Sequence, residues 1–347
     1  MRYAALVLSL LFALAGCQPA ADRSVERGFY YWKTTYDPTS KELGYLRALK
    51  TQHLYLRLFD VDLNAQGQPA PVGKLQWRAT PPAGLRITPV AFVTPEVLRA
   101  SDSAAIEVLA PRMALLMAGQ CAGMPLSGEV QLDCDWTAGT RARYFQLLRA
   151  LRRQPFLAGK TLSVTVRLHQ LKFVAASGIP PADKGLLMCY NMGNLRAPGS
   201  ANSIIDPGEL EKYLGSLQHY PLPLDVALPV FQWGAWFEGA MFKGLVYLPD
   251  SLLPRDAVTF QTDTQLGGYR FRAGDRLRPE RSRAEDVQRA ASLVAKRLAS
   301  ARVRVLLFQL DEQNLSGYTL HELEDFYDRL RYRPARLAAA ERHQLLR

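Results

Sequence analysis

Short runs in which apolar and polar residues alternate recur along the whole chain, and this alternation predicts β-strands. Between most of them lie longer stretches whose apolar residues repeat at helical spacing. The predicted strands are residues 29–34, 53–59, 87–93, 129–136, 161–169, 185–191, 224–231 and 303–311. The predicted helices are residues 40–50, 95–118, 139–153, 207–217, 283–301 and 320–331. The order of elements is that of an α/β protein.

Several of these strands are polar on one face. In the fifth strand, Val164 and Val166 alternate with Thr165 and Arg167, and the second and fourth strands repeat the pattern. A strand of an open parallel sheet is apolar on both faces, whereas a barrel strand can direct polar groups towards an active-site cleft. Alternation alone also permits an open doubly wound sheet, but no Gly-rich phosphate loop follows the first strand. The sequence therefore predicts a (β/α)8 TIM barrel.

Two regions exceed a minimal barrel. Residues 64–85 are rich in Pro and Gly, and residues 233–283 contain further β-like runs. They follow the second and seventh strands, where the loops that build binding sites leave a barrel. We therefore predict insertions after strands two and seven, within a barrel domain of residues 29–331 that is followed by a basic tail of residues 332–347.

The N-terminus has the features of an export signal. Arg2 precedes an apolar run at residues 3–15, which is shorter than the ~20 residues that span a bilayer. The run ends in Leu14-Ala15-Gly16-Cys17, which resembles the lipobox of bacterial lipoproteins. An ordinary secretory signal with a small-residue cleavage site is the alternative.

The lipobox resemblance implies that residues 1–16 are removed and that Cys17 carries the lipid that anchors the chain to a membrane. Residues 17–28 would then form a tether. Because Gln18 is not the Asp that resembles an inner-membrane retention signal, the resemblance implies the outer membrane of the cell envelope, facing the periplasm.

Composition narrows the class of partner. A hydrophobic content of 48% and a charged content of 22% are ordinary for a globular chain. The net charge of +11 suits anionic partners, but an exported anchor excludes nucleic acid. Because the basic residues are interleaved with acids on predicted helices, we expect a solvated basic surface with weak attraction to the membrane.

The remaining cysteines are Cys121, Cys134 and Cys189, an odd number with no zinc-site or CxxC spacing. We expect buried thiols, although a disulfide from Cys121 to one of the others stays open. The chain has only five His and no His-x-x-x-His spacing, which argues against a metal hydrolase. No metal or cofactor is expected.

Two carboxylates form the sharpest candidate for chemistry. Asp133 and Asp135 stand two positions apart on a predicted strand, so both point to one side and each raises the other's proton affinity. Such a pair can serve acid–base chemistry or bind a cation. The alternative is a structural pair that Arg57 or Arg167 neutralises inside the barrel.

The segment Asp133-x-Asp135-x-Thr137 resembles the Asp-x-Asp-x-Glu signature of chitinase-like glycoside hydrolases, and Met188-Cys189-Tyr190-Asn191 resembles their Met-x-Tyr-Asp motif. In that signature the terminal Glu protonates the glycosidic oxygen. Thr137 cannot do so, and Asn191 likewise replaces an acid. The resemblance implies a sugar-related barrel and counts against the usual substrate-assisted hydrolysis.

A second resemblance covers most of the mature chain. It is to a family of bacterial exported proteins with a domain of unknown function, which itself resembles glycoside-hydrolase barrels and implies no activity. It is carried by residues 29–33, 58–62, 131–137, 167–170, 188–193 and 220–229.

Residues at the ends of the predicted strands should gather at one rim of the barrel. Asp311 or Glu312 could supply the acid that Thr137 lacks, with Asp133 or Asp135 as base or stabiliser, and His169 is a further catalytic candidate. Trp32, Tyr190, Trp233 and Trp236 could stack on sugar rings. The candidates for substrate binding are Trp32, Lys33, Arg57, Asp60, Arg167, Gln170, Tyr190, Asn191, Gln232, Trp233 and Gln309.

Two hypotheses of function follow. The first is a lipid-anchored glycoside hydrolase-like barrel acting on envelope or imported polysaccharide, favoured by charged residues that are costly to bury without a role. The second is a carbohydrate-binding or structural lipoprotein without catalysis, favoured by Thr137. An open cleft that joins Asp133 or Asp135 to a carboxyl of strand eight would support the first. A closed cleft in which arginines saturate both aspartates would exclude it.

Overall fold

The computed structural model describes residues 22–334 and residue 337. Eight parallel strands form a closed barrel, because the first strand pairs with both the second and the last. This confirms the predicted (β/α)8 TIM barrel and each of its eight strands. The barrel strands are β1 (Ser24–Tyr31), β2 (His53–Leu63), β3 (Arg86–Val93), β4 (Glu129–Asp133), β5 (Thr161–Arg167), β6 (Lys184–Met188), β7 (Leu224–Pro229) and β8 (Arg302–Phe308).

Helices follow most strands on the outside of the barrel. The predicted helix at 95–118 is divided at Ser101, because the Asp102 side chain caps a new helix by accepting a hydrogen bond from Ala105 N. The helices are α1 (Ser40–Ala48), α2 (Pro95–Ala100), α3 (Ser103–Gln120), α4 (Arg141–Arg152), α5 (Leu168–Lys172), α6 (Val174–Ser177), α7 (Pro207–Glu211), α8 (Ala284–Ala295), α9 (Glu312–Leu315) and α10 (Leu320–Asp328), with 3-10 helices at Pro155–Leu157, Leu214–His219 and Arg329–Arg331.

The observed bounds of all eight strands differ from the predicted ones at one or both ends, and three of these differences matter here. β1 begins at Ser24, not at residue 29, because its first residues pair with β8, so residues 24–28 of the predicted tether belong to a barrel strand. β4 ends at Asp133, which leaves Asp135 beyond the strand. β5 ends at Arg167, where α5 begins, so the predicted strand residue His169 is helical.

The two predicted insertions are present. After β2, the strand Pro69–Val72 pairs antiparallel with β2, and Gln76–Trp77 pairs with Thr35–Tyr36. After β7, four antiparallel strands form a separate sheet with a small apolar core of its own. These four strands are Gln232–Glu238, Met241–Val246, Val258–Thr259 and Asp275–Arg281, and a hairpin of Thr264–Leu266 and Tyr269–Phe271 accompanies them.

The polar faces of the strands point into the barrel. β4 contributes Glu129, Gln131 and Asp133, two positions apart, at successive levels of the interior. Tyr55 Oη donates to Glu129 Oε1 at 2.8 Å, and Tyr30 Oη donates to Gln131 Oε1. These bonds join side chains of non-adjacent strands inside the barrel, so polar contacts fill its interior at two successive levels.

The layer of interior side chains nearest the N-terminal ends of the strands consists of charged residues. Arg304 donates to Glu129 at 2.9 Å and pairs with Glu26 at 2.8 Å, while Lys184 contacts Asp225 at 2.5 Å and Glu129 at 3.2 Å. We call these five residues the basal ion cluster. It fills the barrel at the N-terminal ends of the strands, and it was not predicted.

The remaining predictions concern the cysteines and the termini. Cys121, Cys134 and Cys189 are buried free thiols, as expected. The predicted signal peptide, Cys17 and most of the basic tail lie outside the described residues. In the described part of the chain, no helix is long and apolar enough to cross a bilayer.

Candidate functional site

An open cleft of about 520 Å³ lies at the C-terminal ends of the barrel strands. Every barrel strand, or the loop that directly follows it, contributes to its wall, which is the arrangement that parallel barrel strands impose. The insertion after β7 adds Tyr247 and Leu248. The lining residues are Trp32, Asp60, Phe92, Asp133, Arg167, Met188, Tyr190, Asn191, Phe231, Gln232, Trp233, Tyr247, Leu248, Phe308, Gln309, Asp311, Gln313 and Asn314.

Asp133 is the buried carboxyl of this cleft, with only 4% of its surface exposed. Thr165 Oγ1 donates to its Oδ1 at 2.5 Å. Burial and the negative charge of Asp135 raise the pKa of Asp133 to about 7, and the positive charge of Arg167 opposes the rise in part. A carboxyl with this pKa exchanges its proton near neutral pH, as a general acid or base requires.

Asp135 has a different environment from Asp133. Arg167 grips it with two bonds, Nε to Oδ1 at 2.5 Å and Nη2 to Oδ2 at 2.9 Å. Arg57, the other expected partner of the two aspartates, instead donates to Asp60 at 2.6 Å and to Gly73 O at 3.2 Å. One arginine therefore saturates one aspartate, and the cleft above Asp133 stays open.

Aromatic side chains form one wall of the cleft. Tyr190 lies 5.5 Å from Phe308, Trp32 lies 5.8 Å from Phe308, and Phe231 lies 5.0 Å from Trp233, between ring centroids. The Tyr190 hydroxyl is buried and has no hydrogen-bond partner among the described residues. Such a wall offers apolar area to the faces of sugar rings and a hydroxyl that can bind one of their oxygens.

Three catalytic candidates lie outside the cleft lining: Asp135, described above, and Glu312 and His169. Glu312 accepts from Thr39 Oγ1 at 2.8 Å and pairs with Lys41 at 2.8 Å, which holds its carboxylate on the outer surface of the rim. His169 is exposed on α5, because β5 ends two residues earlier. The prediction that Glu312 supplies a cleft acid is therefore not supported by its position.

Asp311 does line the cleft. Its Oδ2 pairs with Lys33 Nζ at 2.9 Å, and its Oδ1 accepts from Asn314 N at 3.2 Å, which caps α9. Lys33 also contacts the buried Glu42 at 2.6 Å. Asp311 is thus held rigidly by Lys33, which lies behind the cleft wall.

Other candidates support the site from behind. Gln170 is buried, accepts from Arg167 N at 2.7 Å and donates to Trp136 O at 2.9 Å. Thr137 is exposed, and its backbone N donates to Thr140 Oγ1 at 2.9 Å. Trp236 packs on Phe271 in the insertion, at a ring distance of 5.0 Å, and is not part of the cleft wall.

Ten predicted residues line the cleft and six do not. The ten are Trp32, Asp60, Asp133, Arg167, Tyr190, Asn191, Gln232, Trp233, Gln309 and Asp311. The six are Lys33, Arg57, Asp135, His169, Gln170 and Glu312. Sequence reasoning missed Phe231, the last residue of the predicted seventh strand, and Phe308, which lies inside the predicted eighth strand and ends the observed one. It gave no signal for Tyr247, which reaches the cleft from the insertion.

Among the described residues, no group of three or more His, Cys, Asp or Glu side chains is arranged to hold a metal ion.

No protein-family model and no curated protein sequence matches the chain. Solved structures do match. The spore cortex-lytic enzyme SleL of Bacillus cereus aligns over 89% of this chain and 75% of its own, with 14% identity and a TM-score of 0.54. A chitinase from Chromobacterium violaceum aligns over 87% and 98%, with 16% identity and a TM-score of 0.53. A chitinase from Bacteroides thetaiotaomicron aligns over 88% and 97%, with 11% identity and a TM-score of 0.53. The chain therefore has the TIM-barrel fold of chitinase-like glycoside hydrolases.

Proposed function

We propose that this chain is a carbohydrate-active barrel of the bacterial cell envelope, which binds a polysaccharide in the cleft and hydrolyses it with Asp133 as the proton donor. The observation that carries the proposal is the buried Asp133 carboxyl, whose pKa of about 7 lets it hold a proton inside an open, aromatic-walled cleft. The fold shared with chitinases supports a glycan as the ligand.

The reaction needs two carboxyl groups. Asp133 gives its proton to the glycosidic oxygen as the bond to the anomeric carbon breaks, and Asp311 accepts a proton from the water that adds to that carbon. The order of roles is opposite to the one expected from the sequence, because Asp133 is the buried member and Asp311 is paired with Lys33. The hydroxyl of Tyr190 and the ring of Trp233 would position the sugar.

The test is a turnover and binding screen of the full chain against polysaccharide and peptidoglycan fragments. New reducing ends should appear with the unaltered chain, and Asp133→Asn should abolish them while it leaves binding intact. Asp263→Asn, on the exposed surface of the insertion, is the matched control and should keep full turnover. Because the donor must be protonated, turnover should fall as pH rises through about 7.

The second candidate is a glycan-binding protein without hydrolysis. Thr137 favours it, since an exposed Thr stands where the chitinase signature has its acid. In this case calorimetry would show binding of glycan fragments, with no reducing ends released by the unaltered chain. Binding in the absence of turnover would overturn the role of Asp133 and leave the cleft as a glycan site.

The anchor is the second part of the proposal. Leu14-Ala15-Gly16-Cys17 supports lipid attachment at Cys17 and a place at the outer membrane, facing the periplasm. Labelled palmitate should be incorporated by the unaltered chain and by Cys121→Ala, and Cys17→Ser should abolish it. A label that persists in Cys17→Ser would contradict the anchor.

A further inference from the structure

The end of the barrel opposite the cleft carries a set of unneutralised cations. We call the surface at the N-terminal ends of the barrel strands the basal face. Lys50 precedes β2, Lys160 precedes β5, and Arg86 and Arg302 are the first residues of β3 and β8. Three of them are exposed and Lys160 is half-buried. No carboxylate of residues 22–334 forms an ion pair with any of the four.

The carboxylates at the strand starts on this side are paired: Glu129 and Asp225 of the basal ion cluster contact Lys184, and two more pairs lie beside them. Arg152 pairs with Asp183 at 2.7 Å, and Arg304 pairs with Glu26 at 2.8 Å. The basal ion cluster has three carboxylates and two cations, so it contributes one negative charge. The four unpaired cations exceed this charge, and the basal face is positive.

The cleft rim carries five carboxylates. Asp60, Asp133 and Asp311 line the cleft, and Asp135 and Glu312 lie beside it. Four of them are paired with cations: Asp60 with Arg57, Asp135 with Arg167, Asp311 with Lys33 and Glu312 with Lys41. The cleft lining therefore has no uncompensated cation, whereas the basal face has four, and this difference gives the barrel a charge asymmetry along its axis. In the field of an anionic surface, such a molecule turns its positive end towards that surface.

The chain also enters the barrel at the basal face. Arg23, directly before β1, is buried, and its guanidinium donates to Leu298 O at 2.6 Å, Ser300 O at 2.7 Å and Leu330 O at 2.7 Å. These three carbonyl bonds fix the point at which the N-terminal segment joins the folded domain. That point lies on the same end as the four cations.

The distance from this point to Cys17 is short. Five residues, 18–22, separate Cys17 from Arg23. At no more than about 3.6 Å for each residue, the segment reaches roughly 20 Å. A lipid on Cys17 would therefore keep the basal face within about 20 Å of the bilayer, on the side away from the cleft.

We infer that the basal face is a docking surface for the anionic headgroups of phospholipids, and that it holds the barrel upright with its cleft facing away from the membrane. The orientation rests on the proposed anchor at Cys17, whereas the charge of the face does not. Each basic residue near an anionic leaflet strengthens binding by roughly fivefold. Three such residues should contribute about 100-fold.

The test uses the full chain with Cys17→Ser, so that no lipid contributes to binding. We expect it to sediment with vesicles that contain 30 mol% phosphatidylglycerol and not with vesicles of phosphatidylcholine alone. Lys50→Gln, Arg86→Gln and Arg302→Gln, combined in one variant, should weaken binding by about 100-fold. The matched control is Arg196→Gln, Arg255→Gln and Arg272→Gln, three exposed residues of the loop after β6 and of the insertion, and it should bind nearly as the parent does.

Equal losses of vesicle binding in the two variants would show that only the net charge matters, and they would overturn the basal face as a docking surface. Absence of binding to phosphatidylglycerol vesicles would overturn it as well. Circular dichroism of both variants checks that they fold. Palmitate labelling of the unaltered chain is independent of these results, so a failed anchor and a failed docking surface are distinguished.

Hydrogen exchange tests the orientation directly. With phosphatidylglycerol vesicles, amides at residues 50–53, 84–87 and 300–303 should exchange more slowly, and those of the cleft loop at 191–203 should not change. Protection of the cleft loop in place of the basal segments would overturn the upright orientation.

Discussion

The strand β4 carries two buried carboxyl groups, Glu129 at the basal end of the barrel and Asp133 at the cleft. The pKa of Glu129 is lowered and that of Asp133 is raised. Burial raises the pKa of Glu129, but Lys184 and Arg304 more than reverse this and hold it below its usual range. Burial also raises the pKa of Asp133, and Asp135 adds to the rise, which brings it to about 7. Burial is similar in the two cases, so the difference lies in the compensating cations.

The comparison separates two uses of buried charge. At the basal face the carboxylate is fully paired, as a structural group must be. At the cleft, Arg167 is bonded to Asp135. Asp133 has only the Thr165 hydroxyl as a hydrogen-bond partner, so its protonation changes near neutral pH. A buried carboxyl with a raised pKa at an open cleft is a candidate functional group, which is how Asp133 differs from Glu129.

The largest expected effect on stability comes from removing one cation of the basal ion cluster. Arg304→Met leaves Glu129 buried with Lys184 alone and removes the partner of Glu26. We expect a loss of about 3–5 kcal/mol in the free energy of unfolding, measured with urea. Arg270→Met, which breaks an exposed pair with Asp263, should cost less than about 1 kcal/mol. Equal losses would refute the structural role of the basal ion cluster.

Above neutral pH, Asp133→Asn should increase the free energy of unfolding, in contrast to Arg304→Met. Since the folded pKa of Asp133 is raised to about 7, the folded state binds the extra proton, and stability is lost as pH rises from about 4 to 7. The variant lacks this loss. Its stability relative to the unaltered chain should rise by roughly 2–4 kcal/mol between pH 4 and pH 8. Melting at a series of pH values measures the difference, and a difference that does not change with pH would contradict the raised pKa.

Asp135→Asn should lower the pKa of Asp133, although Asp133 itself is unaltered. The substitution removes the negative charge that raises the pKa of Asp133 and frees Arg167 to approach it, so both changes act downward. We expect the pKa of Asp133 to fall by about 1 unit or more. Carbon-13 NMR of the carboxyl, titrated between pH 4 and 9, measures it. Asp62→Asn serves as the control, since the Asp62 carboxylate binds Thr94 and lies outside the cleft lining.

The contrast between the two ends also marks what could be read from the sequence. Alternating polar residues predicted the barrel and its inward polar faces, because the period of a strand fixes which side chains share a side. The same rule brought Asp60, Asp133 and Asp311 to one cleft. The candidate site could be found this way because strand ends of a barrel meet at one rim.

The partners of these residues could not be predicted. The basal ion cluster joins residues from five strands, and no local pattern shows which cation meets Glu129. The sequence left Arg57 and Arg167 open as partners of the aspartates. Arg167 binds Asp135, whereas Arg57 binds Asp60, which lies three positions away. The end of β5 was misplaced because the side chain of Gln170 accepts from Arg167 N and begins a helix there.

The smallest expected effect on stability is that of Tyr190→Phe, and its matched control is Tyr55→Phe at the other end of the barrel. Both hydroxyls are buried, but Tyr55 donates to Glu129 at 2.8 Å and accepts from Arg304 at 2.7 Å, whereas the Tyr190 hydroxyl has no partner among the described residues. Loss of the Tyr55 hydroxyl leaves two buried charged groups short of a bond and should cost about 1–3 kcal/mol. Loss of the Tyr190 hydroxyl breaks no bond of the protein and should change stability by less than about 0.5 kcal/mol.

Urea unfolding of the two variants measures this difference, and calorimetry with glycan fragments should show weaker binding for Tyr190→Phe alone. Equal destabilisation by the two substitutions would mean that the Tyr190 hydroxyl has a structural role, because only a hydroxyl that is spare in the folded chain is available to a ligand.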